Sequence, residues 1–225
     1  MAHLQPVNTY HPEEGAQVVE YGDWVSFPNP ITLNEGLLEV YMGWYYNHPV
    51  VTPSSLISLH LAPVFSNQVT LNHGLKRLQI EGKYTGTLML PSTVTYCWLA
   101  DVTDPIIFPE NSELMKFRIG RLNRSLILPS AVKTVLLKDM TDNGQITFPD
   151  DMNSIHVSKN FPLDRLTLSK GLQTFTIGGH RIEIVGGLKE SVNLSMTKNI
   201  TSLLKLLKQN GHKCHSTKIS FHLTI

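Results

Sequence analysis

Between residues 31 and 177 one pattern of apolar and polar positions recurs about every twenty residues. The units open ITLNEGLLEVYM at Ile31, VVTPSSLISLHL at Val50, VTLNHGLKRLQI at Val69, LMLPSTVTYCWL at Leu88 and IIFPENSELMKFRI at Ile106. LILPSAVKTVLL at Leu126, ITFPDDMNSIHV at Ile146 and LTLSKGLQTFTI at Leu166 follow. Each unit reads apolar, any, apolar, a turn of Pro, Ser, Asn or Gly, then apolar residues at the seventh, tenth and twelfth places, which in the fifth unit, after a two-residue insertion, are Leu114, Phe117 and Ile119. These five columns over eight units make forty positions, and Thr52 alone among them is polar, which chance does not produce. Alternation at the first and third places, and again at the tenth and twelfth, predicts two short half-buried strands joined by a bend. Each unit is then one coil of a mainly β solenoid, burying its apolar edge only against its neighbours.

The flanks depart from the period. Residues 1–30 are expected to be a polar lead-in followed by a cap, with Trp24 and Val25 covering the first coil, because an unpaired end coil exposes its core and its strand edges. The solenoid is expected over 31–194, although 182–194 (IEIVGGLKESVNL) keeps only the opening of the unit and its later apolar residues, Val192 and Leu194, fall one place out of step. Residues 195–225 close the chain. NITSLLKLLKQN (199–210) sets Ile200, Leu203, Leu204 and Leu207 at helical spacing and stops at Asn210-Gly211, predicting one capping helix. KISFHLTI (218–225) alternates and predicts a closing strand. One structural domain is expected overall.

Composition narrows the function classes. With 225 residues and 41% apolar content the chain has no need of covalent staples, and its two cysteines, Cys97 in a core column and Cys214, are too few for a disulfide scaffold. A formal charge of +1 with 16% charged residues supplies no polyanion-attracting field, so neither nucleic acid nor membrane is an expected partner. No apolar run reaches membrane-spanning length and the first residues lack a signal-peptide pattern, so the expectation is a cytoplasmic monomer. The sequons at Asn123, Asn193 and Asn199 are then accidental.

LMLPSTVTYCWL at Leu88, LILPSAVKTVLL at Leu126 and TPSSLISLHL at Thr52 resemble the leucine-rich-repeat superfamily, and within it the FNIP repeat, whose sense is L-P-x-S-L-x-x-L-x-L. The likeness covers about two-thirds of the chain. The name-giving F-N-x-P segment survives only as fragments such as Asn160-Phe161-Pro162, and the asparagine ladder of ordinary leucine-rich repeats is missing. The resemblance implies a non-enzymatic recognition scaffold of the kind carried by amoebae and large DNA viruses. The expected function is therefore a protein–protein interaction module without cofactor. The alternatives are a carbohydrate-binding or carbohydrate-active β-helix and a structural subunit that stacks through its ends.

If the tenth and twelfth places point inward, the ninth and eleventh point out. There Arg77, Tyr96, Trp98, Lys116 and Arg118 are expected to form one patch of aromatics and cations, the residue types that dominate interface hot spots. Tyr41 joins them as a candidate partner-binding residue, while the aromatic run at 43–46 (GWYY) is read chiefly as a cover for an end. Thr32, Thr70, Thr147 and Thr167 line the other strand, but Val51, Met89, Ile107 and Ile127 interrupt that ladder. For catalysis the one candidate is the loop column Asp101, Arg121, Asp139 and Lys159, with Asp104 and Asp142; alternating signs read better as a surface salt ladder. His212, Cys214 and His215 are too crowded for a zinc site and read as a polar loop, so no metal is expected.

Overall fold

Inward apolar and outward polar side chains alternate along each motif, so the chain lays down short strands that stack in parallel, coil upon coil. In the computed structural model residues 15–22 and 27–218 are described, and they form a mainly β structure, a β-solenoid of about eight stacked coils with one α-helix. Two compact units divide it, the first ending at Leu114 and the second beginning at Met115.

In the first unit the longer strands are β1 (Val18–Glu20), β2 (Glu39–Met42), β4 (Ser58–Leu61), β6 (Arg77–Lys83) and β8 (Tyr96–Val102). They pair in parallel in the order β1-β2-β4-β6-β8, in a register that sets Leu59 opposite Leu78 and Leu78 opposite Cys97. Shorter strands occupy the other face: β3 (Val50–Val51) pairs with β5 (Val69–Thr70), and β7 (Leu88–Met89) with β9 (Ile106–Ile107). The opening of the first coil, 31–33, is not a strand.

The second unit repeats the scheme with β10 (Lys116–Leu122), β12 (Thr134–Met140), β14 (Ser154–Val157) and β16 (Thr174–Ile177) in parallel, and with β11 (Ser125–Ile127) paired to β13 (Gln145–Thr147). Here the stacking ends. Gly178 and Gly179 both hold positive φ (50° and 83°), the two-residue turn that suits a tight hairpin, and β17 (His180–Ile184) returns antiparallel to β16. Residues 182–194 therefore do not open another coil: β18 (Val192–Asn193) pairs antiparallel with β15 (Thr167–Leu168), which sets buried Val192 opposite buried Leu168.

Helix α1 (Ile200–Gln209) forms where its spacing predicts. Asn199 accepts the amide of Ser202 at 2.9 Å while the Ser202 hydroxyl accepts the amide of Asn199 at 3.1 Å, and Leu203 and Leu207 are fully buried. The expected polar loop at 212–215 becomes strand from Cys214 on, because β19 (Cys214–Lys218) pairs antiparallel with β17. The expected strand at 218–225 lies outside the described residues beyond Lys218, as do Trp24 and Val25. The three sequon asparagines have local tasks: Asn199 caps α1, the Asn193 side chain accepts the amide of Ser195, and Asn123 accepts the Thr141 hydroxyl.

Three of the five core columns, the seventh, tenth and twelfth, are buried in every unit. The seventh and tenth places are at most 1% exposed in all eight units, whereas Ile31, Val69, Leu71, Ile106 and Phe108 at the first and third places are only half-buried. Thr52, the polar exception, accepts the Asn72 amide at 2.7 Å and lies 3.2 Å from the Thr70 carbonyl that it can donate to, so its burial leaves no orphan hydroxyl.

A sixth column fills the corner at or just past the ends of six long strands. Tyr46, Phe65 and Tyr84 in the first unit, and Leu122, Met140 and Phe161 in the second, are buried there. The tyrosine tips reach backbone, Tyr84 Oη donating to the Thr87 carbonyl at 3.0 Å, and burial raises the pKa of both phenols. Beside this column runs a polar one: Asn47 Oδ1 accepts the Ser66 amide at 2.8 Å, and the Thr85 hydroxyl donates to the Ser66 carbonyl at 2.6 Å. Small polar side chains thus do from coil to coil what an asparagine ladder does elsewhere.

A carboxylate ties the first turn to the second. Glu35 accepts the Ser54 amide at 2.8 Å, the Ser54 hydroxyl at 2.9 Å and the Ser55 amide at 3.2 Å, and these bonds, the Ser54 amide first, hold its pKa below the ordinary value. A depressed pKa contributes stability above the unfolded-state value, and that contribution is lost as pH falls through the folded-state value. Amide exchange at Ser54 and Ser55, measured by NMR, should therefore accelerate relative to Leu59 as pH drops below about 4, after correction for intrinsic rates. Equal acceleration at all three would show that Glu35 does not tie the turn.

Cys97 and Cys214 are both free thiols, but Cys97 is fully enclosed and burial raises its pKa far above the ordinary thiol range. A thiol-reactive disulfide reagent should titrate one cysteine, Cys214, in the native protein and the second only on unfolding. Modification of both at one fast rate would contradict the core placement.

Candidate binding surface

The outward side chains of the long strands make the face that the sequence points to. In the first unit the parallel register aligns them in two rows across the strands. One row runs Glu39, Ser58, Arg77, Tyr96 and the other Tyr41, His60, Gln79, Trp98. All are exposed or half-buried, and the residues between them along each strand are core.

Contacts knit the rows together. The Arg77 guanidinium lies over the Tyr96 ring, 5.6 Å from its centroid, and Tyr41 meets the His60 ring edge to face at 5.8 Å. The Tyr41 hydroxyl donates to Glu39 at 3.1 Å; burial, then this carboxylate, raises its pKa. His60 Nε2 sits 3.0 Å from Glu81 Oε1 and 2.8 Å from Gln79 Nε2, and Gln79 donates to the same Glu81 oxygen at 2.7 Å.

Tyr41, Arg77, Tyr96 and Trp98 therefore share one face of the first unit. Lys116 and Arg118 lie at the corresponding outward places of β10, in the second unit, whose own outward rows run Lys116, Thr134, Ser154, Thr174 and Arg118, Leu136, His156, Thr176. The sequence reading stopped short on both units. Glu81 and Arg181 lie beyond the two outward places counted per coil, and the signal for them was present: period-two alternation runs on to Lys83 along β6, and RIEI alternates along β17.

The remaining candidates have local partners. Of the aromatic loop, Tyr46 is core, while Trp44 and Tyr45 are about half exposed, as is Val64 at the equivalent place of the next coil. The loop column is in part a ladder of charges: Arg121 Nε is 3.3 Å from Asp139 at an exposed position, and Arg165 bonds Asp142. Asp101 stands opposite Lys83 in register, and Asp104 accepts the Gly86 amide at 3.2 Å. Among the described residues no three His, Cys, Asp or Glu side chains come together as metal ligands would, and no helix is long and apolar enough to cross a membrane. No protein-family model, curated protein or solved structure matches this chain, and its placement rests on its own geometry.

Proposed function

We propose that the chain is a non-enzymatic, intracellular protein-interaction module that presents the outward face of its long strands to a protein partner. We assign its coils to the leucine-rich-repeat type with two strands per turn, FNIP-like in its L-P turns, on the strength of the paired β3/β5, β7/β9 and β11/β13 ladders. The observation that carries the functional reading is the Tyr41, Arg77, Tyr96 and Trp98 array: large aromatic side chains with few rotors, and one rigid guanidinium fork, set at fixed intervals on a parallel sheet. A preorganised surface of this kind loses little conformational entropy when it binds. The test is capture from a lysate of the source cells by wild type and by Tyr96→Ala/Trp98→Ala, which alters outward positions only. Proteins retained by wild type and lost by the folded double variant support the reading, and identical retention by both overturns it.

A carbohydrate-binding reading draws on a different observation, the hydrogen-bonded polar cluster of His60, Gln79 and Glu81 beside the Tyr41 ring. A glycan array separates the two: binding of sugars that Tyr41→Ala abolishes favours the second.

A further inference from the structure

On the second unit the outward rows carry hydroxyls and cations. Thr134, Ser154 and Thr174 stand in one row, and Leu136, His156, Thr176 and then Arg181 in the other, His156 opposite Thr176 and Thr176 opposite Arg181. Strand spacing of about 4.8 Å puts these last three side chains within reach of one small ligand. Thr176 is the unusual member. Its place in the alternation is outward, yet it is only 3% exposed, and its hydroxyl has no hydrogen-bond partner among the described residues. An unpaired buried hydroxyl is costly, and the register places it between the strands that carry His156 and Arg181.

The local donors fit an anion. Ser154 Oγ donates to Thr134 Oγ1 at 3.2 Å and lies 3.3 Å from His156 Nε2, so Nε2 carries the proton of the neutral ring and Nδ1 is left as the site of a second one. The charged and titratable groups on the strands around His156 are Lys116, Arg118 and Arg121 on β10, Lys138 and Asp139 on β12, His180, Arg181 and Glu183 on β17, and Cys214, His215 and Lys218 on β19. Cations outnumber acids there, and both acids already face an arginine, Asp139 at 3.3 Å from Arg121 and Glu183 at 3.2 Å from Arg181.

We propose that this face is an oxyanion site, which takes the phosphate or sulfate group of a monoester between His156, Thr176 and Arg181. Three terminal oxygens meet the Thr176 hydroxyl, the Arg181 fork and the protonated His156 ring, more acceptors than a carboxylate brings. Burial, then Arg181 and Lys116, holds the imidazole pKa below its ordinary value in the empty site. A bound anion opposes the two cations, raises that pKa and couples binding to uptake of a proton. Affinity accordingly rises as pH falls. This site stands on the second unit's own residues and does not require the protein-interaction reading.

Inorganic sulfate is the first probe, because its charge is constant between pH 5.5 and 7.5. Titration into the full chain, followed by the His156 ring signals in NMR, should show saturable shifts, with affinity roughly fivefold higher at pH 5.5 than at 7.5. His156→Gln should keep binding at pH 7.5 and lose the pH dependence. Arg181→Gln should weaken binding at both pH values. Thr176→Val should weaken it too while raising the melting temperature, since it removes an unpaired buried hydroxyl; a residue with only a packing role would not move the two readouts in opposite directions. Trp98→Ala, on the first unit, should leave sulfate binding unchanged and so separates this site from the interaction face. O-phosphoserine and glucosamine 6-sulfate then identify the source, the tighter monoester marking a phosphoprotein or a sulfated glycan. Sulfate that leaves the His156 signals unmoved, or that binds the Arg181 and Thr176 variants as it binds wild type, overturns the proposal.

Discussion

Leu99→Asp should leave no cooperatively folded protein. Leu99 sits on β8 at a twelfth place, is 3% exposed, and stands opposite Ile80 in the parallel register. Losing the leucine alone costs about 2–5 kcal/mol, and a carboxylate in the same place adds several more unless it takes up a proton. Against a total stability of about 5–15 kcal/mol that is decisive. The neighbouring Trp98→Ala changes an outward, half-exposed side chain and should cost about 1 kcal/mol. Circular dichroism melts of the two variants make the comparison. Similar destabilisation of both would mean that the inward and outward columns of β8 are misassigned.

Gly82→Ala should be the most damaging methyl that can be added to the first unit. A Cβ at Gly82 would stand 1.9 Å from the Phe65 carbonyl oxygen, 2.8 Å from its carbon and 2.9 Å from its nitrogen. All three are main-chain atoms of the preceding coil, which a rotamer change cannot move aside. Gly82 lies where the β6/β8 register shifts, between Ile80 and Lys83, and there the corner draws in against the coil beneath it. We expect a loss of about 3 kcal/mol with loosening of the Phe65 corner. Gly36→Ala is the control. Nothing lies within 4 Å of a Cβ there, but φ is +96°, so the strain is backbone alone and about 1 kcal/mol is expected. Urea midpoints rank the two, and an equal or milder effect at Gly82 would contradict the close approach.

The pH dependence of the first turn and the difference between the cysteines are smaller effects with the same origin. Each follows from where one coil's polar or sulfur atom lies relative to the next. Glu35 acts on Ser54 and Ser55, nineteen and twenty residues on in sequence and one coil on in space.

How far the sequence could be read depended on whether a feature repeats. The inward columns were legible because every coil faces the same apolar neighbour, so a single rule on side-chain size and polarity is imposed eight times. The α1 helix was legible for a different reason: its spacing, Asn199 cap and Gly211 stop are local signals that need no tertiary partner. The sixth core column escaped because it changes chemistry along the chain, from tyrosine and phenylalanine to leucine and methionine, and its period is hidden by loop-length changes. The Asn47, Ser66, Thr85 ladder escaped with it, although those residues also recur at intervals of nineteen.

What the sequence determined by itself is the coil: its period, its buried places, the inward placement of Cys97 and Leu99, and the outward placement of Tyr41, Arg77, Tyr96, Trp98, Lys116 and Arg118. Periodicity suffices for these because a strand's two faces are fixed by alternation. Only the tertiary structure decided how the stack ends and which outward side chains meet. The reversal at Gly178-Gly179 sets Arg181 across from Thr176 and buries an outward hydroxyl, and the register of three parallel strands brings Tyr41, His60 and Glu81 together. Such encounters join residues of different coils whose pairing is set by hydrogen-bond register, and no periodic signal along one strand contains it.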